Sequence, residues 1–122
     1  MKKLFSFVIL PVAMLLTISV RAQQPINVAG VWNLNVETSA GSGTPEFTIK
    51  HSTDSTLEGT YRGQLGETPI KGTLKGNKIF LTFSVSSIDI EYSGTVDGDT
   101  MKGKVTLGTM GEGTFTGTRK KG

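Results

Sequence analysis

Apolar and polar residues alternate along nearly the whole chain after residue 30, with the period of two that marks a half-buried strand. Trp32, Leu34 and Val36 share one face of a first strand, and Asn33, Asn35 and Glu37 share the other. Phe47 and Ile49, with His51 next in step, define a second. Leu57 to Arg62 forms a third and Pro69 to Lys75 a fourth. Gly76-Asn77 is a two-residue hairpin signal leading into the fifth strand, where Ile79, Leu81, Phe83 and Val85 share a face and Phe80 points away. Ile88, Ile90, Tyr92, Gly94 and Val96 align in the sixth. Met101, Gly103, Val105 and Leu107 align in the seventh, and Gly113, Phe115 and Gly117 in the eighth. The stretches between them, including Thr38–Thr44, Ser52–Thr56, Ser86-Ser87, Asp97–Asp99 and Gly108–Gly111, are rich in turn formers and read as loops. No stretch has a helical period.

Within these strands one small pattern repeats: a large apolar residue, a spacer, Gly, a spacer, and a second large apolar residue. It runs over Leu57–Tyr61, Ile70–Leu74, Tyr92–Val96 and Met101–Val105, with a shortened echo at Gly113–Gly117. Each Gly therefore lies on the apolar face, where it marks a tight bend or a close approach of backbone. Eight short strands in succession predict an all-β fold, an eight-stranded antiparallel up-and-down β-barrel. Closure leaves no free sheet edge, and eight strands enclose a space that side chains fill or that holds one small ligand. The outward set is rich in Thr, Lys, Glu and Ser and faces water, the reverse of an outer-membrane barrel. The inward glycines cut both ways, opening a cavity or letting the barrel coil tightly. The residue count favours a filled or nearly filled interior.

Gly30-Val31-Trp32 at the start of the first strand and Arg119 at the end of the last resemble the calycins, the superfamily of lipocalins, fatty-acid-binding proteins and avidins. The resemblance implies a calycin-like barrel in which Trp32 packs beneath Arg119 at the closed end, both as structural residues. Gly59-Thr60-Tyr61 and Pro69–Thr73 are similar to strands of avidin-like barrels. The single Trp departs from the several that line an avidin's biotin site, so biotin binding does not carry over. The helix that follows a lipocalin barrel has no counterpart here.

Ahead of the strands, Lys2 and Lys3 precede the apolar run Leu4–Val20, and Val20-Arg21-Ala22 places small residues where a signal peptidase reads. The expected organisation is a signal peptide over 1–22, a flexible lead-in over 23–29, the barrel over 30–119 and a basic tail over 120–122. The protein is thus expected to be exported, to the periplasm or beyond, with no membrane association after cleavage. The whole chain carries a net charge of +3, but losing Lys2, Lys3 and Arg21 leaves ten basic residues against ten acidic ones. A neutral domain has no general field to gather nucleic acid or anionic membrane. Cys is absent, which removes disulfides, thiol nucleophiles and lipid attachment through Cys.

The chemical candidates are few. His51 is the only histidine and reads as a surface residue at a strand end, without partners for a metal or a catalytic relay. Asp97-Gly98-Asp99-Thr100 lacks the distal ligands of a calcium loop and reads as a turn. Asp89 and Glu91 fall on the solvent face, and Gly63–Gly66 lacks the helix of a phosphate-cradling loop. No catalytic residue, metal ligand or cofactor site is assigned. The interior remains: Tyr61 and Tyr92 point inward with polar tips that need partners, and Phe83 and Phe115 offer apolar walls. These four are the candidate ligand-binding residues. They suit an exported, non-enzymatic barrel that binds or carries a small apolar molecule. The competing reading is a solid-core structural or interaction module with no small ligand, and the sequence leaves the oligomeric state open.

Overall fold

In the computed structural model the described residues are 26–121, so the expected signal peptide and the first residues of the lead-in lie outside them. Nine strands follow one another without a helix among the described residues: β1 Gly30–Thr38, β2 Gly41–Gly43, β3 Glu46–His51, β4 Thr56–Gly63, β5 Gly66–Lys75, β6 Lys78–Val85, β7 Ile88–Asp97, β8 Thr100–Leu107 and β9 Glu112–Arg119. Each pairs antiparallel with its neighbour, and β9 returns to β1 over Trp32↔Arg119 to Thr38↔Gly113, closing the sheet. The barrel wall is β1 and β3–β9, an eight-stranded up-and-down barrel as the alternation predicts. β2 is the one addition. Thr38–Thr44 has loop composition, yet Gly41–Gly43 folds back as a short hairpin on Val36–Thr38, whose other edge pairs with β9.

The inward positions form one core. Trp32, Leu34, Phe47, Ile49, Leu57, Ile70, Leu74, Ile79, Leu81, Val96, Met101 and Val105 are all buried. Outward residues of the same strands are mostly exposed, and this two-sided pattern fixes the register, since a one-residue slip would turn the core out to water.

The repeated glycines account for the tightness of the wall. A Cβ built on Gly94 would overlap the Lys102 carbonyl oxygen, and Gly94 and Gly103 face each other across β7 and β8. Gly59, Gly72 and Gly113 meet a neighbouring strand's carbonyl in the same way. The backbone of one strand fills the space where the next strand's side chain would start, so the glycines coil the barrel rather than hollow it.

One end is closed by Arg119. Its guanidinium carbon lies 4.6 Å from the centre of the Trp32 ring. Nε donates to Asp99 Oδ1 at 2.8 Å, and the terminal nitrogens donate to the carbonyls of Ala29, Asn27 and Gly98. The described part of the lead-in is drawn into this plug. Val28 is fully buried, its carbonyl accepts from Trp32 Nε1 at 2.9 Å, and its N–H donates to His51 Nε2 at 3.1 Å. His51 is therefore half-buried and bonded rather than a free surface residue; accepting at Nε2 leaves the proton on Nδ1, which faces the Thr53 carbonyl at 3.3 Å.

The close approach at the glycines predicts a sharp contrast in stability. Gly94→Ala should cost about 3 kcal/mol or more, because backbone rather than a mobile side chain must move. Gly43→Ala, where a new Cβ would meet only the flexible Gln64 amide at 3.2 Å, should cost less than about 1 kcal/mol. Denaturant unfolding of both variants beside the parent checks the difference.

Candidate functional site

The end opposite Arg119 is open. Four connections surround it: the β1–β2 hairpin, the β4–β5 turn with Gln64 and Leu65, the β6–β7 turn before Ile88, and the β8–β9 turn with Met110. At the β6–β7 turn Ser86 and Ser87 both adopt left-handed backbone, with φ of 53° and 65°. Side chains other than Gly and Asn are disfavoured there, so this turn is held under strain. Part of what holds it is the Ser86 hydroxyl, which donates to the Leu65 carbonyl of the adjacent turn at 3.2 Å.

Between these turns lies a cavity of about 160 Å³. Val36, Ile88, Ile90, Leu107 and Met110 supply apolar wall, and Tyr61, Tyr92 and Gln64 supply polar atoms. Its depth is set by a layer of aromatic rings across the barrel. Tyr61 and Phe83 stack at 4.7 Å between centroids, and Phe83 and Tyr92 lie nearly parallel at 5.9 Å. Phe47 meets all three edge-on at 5.0–5.9 Å, and Phe115 meets Tyr92 edge-on at 4.9 Å. Edge-to-face and offset pairs at these separations each add about 0.5–1.5 kcal/mol beyond area burial, so the layer is a rigid floor.

All four candidate residues belong to this layer, but only Tyr61 and Tyr92 line the cavity. Phe83 and Phe115 lie behind the tyrosines and orient them. Phe47, at the centre of the layer, was not among the candidates, although its inward phase on the second predicted strand marks it equally well. Val36, Ile90 and Leu107 carry the same signal. Gln64, Leu65 and Met110 sit in turns, where no periodicity tells which residues lean over the mouth.

The two hydroxyls differ. Tyr61 Oη accepts the Leu65 N–H at a long 3.4 Å. Tyr92 is 3 % exposed, and among the described residues its hydroxyl has no hydrogen-bond partner. Burial, and secondarily the neighbouring Tyr61, push the Tyr92 phenol well above its ordinary value. An unpartnered buried hydroxyl costs about 1–3 kcal/mol, and a guest with a matching polar atom would recover it.

Neither a protein-family model nor a curated relative matches this sequence. Among solved structures, a redesigned β-barrel superposes with a TM-score of 0.64 at 13% identity, over 77% of this chain and 91% of that one. EF1p2_mFAP2b bound to DFHBI gives 0.61 at 13% identity over 76% and 93%. The redesigned barrel mFAP0 bound to DFHBI gives 0.59 at 16% over 75% and 97%. At these identities the likeness is one of fold: a closed eight-stranded barrel.

Tyr92 makes the stability of the fold pH-dependent on the alkaline side. The folded state holds the phenol proton more tightly than the unfolded chain does. Stability contributed this way is complete below the ordinary phenol value of 10.0 and is lost as pH rises beyond it. Tyr92→Phe should be as stable as the parent or slightly more so at neutral pH, because no bond is lost. Its unfolding midpoint should also fall less steeply above pH 10, as denaturant titrations at a series of pH values would show.

Proposed function

We propose that this protein is an exported, non-enzymatic barrel that holds one small, largely apolar molecule in its open-end cavity. The observation that carries the reading is the cavity itself: apolar walls, an aromatic floor, and one buried hydroxyl, that of Tyr92, without a partner among the described residues. Its size sets the class of guest. A dry engineered cavity of about 150 Å³ is known to take up benzene, and 160 Å³ is of that order. A single ring or a short branched chain fits inside, with one polar atom within reach of Tyr92, and anything larger projects through the mouth. Designed barrels of this fold hold DFHBI, which supports the capacity of the architecture but not the identity of a natural guest. Nothing in the site supplies a nucleophile or a paired acid and base, so binding without turnover is the reading it supports.

The competing reading, a solid module acting through its surface, draws on the filled aromatic layer and on Leu65 and Met110, which stand exposed at the mouth. Native mass spectrometry on protein purified from its producing cells separates the two. Carriage predicts a reproducible excess mass that disappears on denaturation and is reduced in Tyr92→Phe. A bare mass in repeated preparations would establish the module instead.

A further inference from the structure

The domain is neutral as a whole, but the fold divides its charge between the two ends. At the mouth, Glu37 stands one residue before the end of β1, Glu67 and Asp89 are the second residues of β5 and β7, and Glu112 is the first of β9. Their side chains belong to exposed residues on four different strands spaced around the opening. Two cations lie near those turns among the described residues: Arg62, which is already drawn to Glu46 at 3.5 Å and Glu67 at 3.3 Å, and Lys104, which stands across Thr114 from Glu37. Asp89 accepts from the Ser84 hydroxyl, a bond that leaves its charge in place. The lysines gather toward the plugged end: Lys75 and Lys78 flank the β5–β6 turn, and Lys120 and Lys121 follow β9. Asp54, Asp97 and Asp99 partly offset them there, and Arg119 engages Asp99.

Carboxylates thus stand on the outer wall around the mouth, while the cavity lining carries no formal charge. A cleft bordered by one sign of charge and walled by low-dielectric material raises the local concentration of ions of the opposite sign. Two tyrosines of the floor, Tyr61 and Tyr92, line the cavity, and an aromatic ring attracts a cation placed over its face. An anionic amphiphile such as a fatty carboxylate would have to hold its headgroup among these carboxylates, and no lysine or arginine lines the cavity to receive it. We propose that the guest is a cationic amphiphile: a ring-sized apolar body seated on the aromatic floor, with an amine held in water at the acidic rim. This rests on the preceding proposal that the cavity is a binding site, and it adds the sign of the ligand.

Three probes of one size and shape test the sign: benzylammonium, benzyl alcohol and benzoate, each titrated into the protein and followed through the backbone amide signals of Ile90 and Leu107. The expected order is benzylammonium tightest and benzoate weakest, a difference of about three- to tenfold at low ionic strength that shrinks as salt is added. The pair Glu37→Lys and Glu112→Lys, both exposed on the outer wall, should erase or invert that order while leaving benzyl alcohol unchanged. Equal affinities for the three probes, or tighter benzoate, would overturn the cationic assignment and leave the cavity standing as a binding site. Failure of all three to shift either signal at millimolar concentration would overturn the binding site itself.

Discussion

The structure depends on how closely neighbouring strands can approach. At Gly59, Gly72, Gly94, Gly103 and Gly113 a carbonyl of one strand occupies the place where a side chain of the next would begin. That proximity is available only to a residue without Cβ, and it bends the sheet sharply enough to close on eight strands of modest length. Closure removes every sheet edge from the wall, and it brings Tyr61, Phe83, Tyr92 and Phe115, from four strands, into one aromatic layer with Phe47. The cavity follows from the same constraint. Tight coiling fills the middle of the barrel, and the cavity lies among the turns at the mouth.

The two ends are built from different interactions. At the plugged end a single guanidinium joins an aromatic face, a carboxylate and three backbone carbonyls, the multidentate geometry for which arginine is suited and lysine is not. The segment before β1 is incorporated through Val28, bonded on one side to His51 and on the other to Trp32. At the mouth the serine turn is strained, the Ser39 N–H donates to the Glu112 carbonyl at 3.1 Å and the Ser86 hydroxyl to the Leu65 carbonyl at 3.2 Å, and Leu65 and Met110 are exposed.

Much of this was legible in the sequence, because period-two alternation states which side chains face inward and turn residues state where each strand stops. Trp32 and Arg119 were identifiable as a pair through the resemblance to the calycins that Gly30-Val31-Trp32 and Arg119 carry. What escaped has physical reasons. The hairpin at Gly41–Gly43 has no side-chain pattern, since three small residues carry no face. His51 looked unpartnered because its partner is a backbone N–H, which no residue type announces. The glycine repeat was visible, but whether it hollows or tightens a barrel depends on the position of the opposite carbonyl, a property of the packed sheet. The cavity's rim was hidden for a related reason: the residues that overhang it lie in turns.

Net charge taught a similar lesson. Ten positive and ten negative side chains cancel in the sum over the expected mature chain, and a sum of zero implies no long-range attraction for a polyanion. The sum does not describe the field near the mouth. In an up-and-down barrel alternate turns lie at the same end, so a residue's end is decided by which side of its strand's midpoint it occupies. Glu37, Glu67, Asp89 and Glu112 lie beside the β1–β2, β4–β5, β6–β7 and β8–β9 connections, while beside the others and after β9 lysines outnumber Asp54, Asp97 and Asp99. The balance of charge near one end therefore differs from that near the other. A closed wall of this kind thus confers direction on a neutral domain: one end anchored and basic, the other open, aromatic within and acidic at its edge.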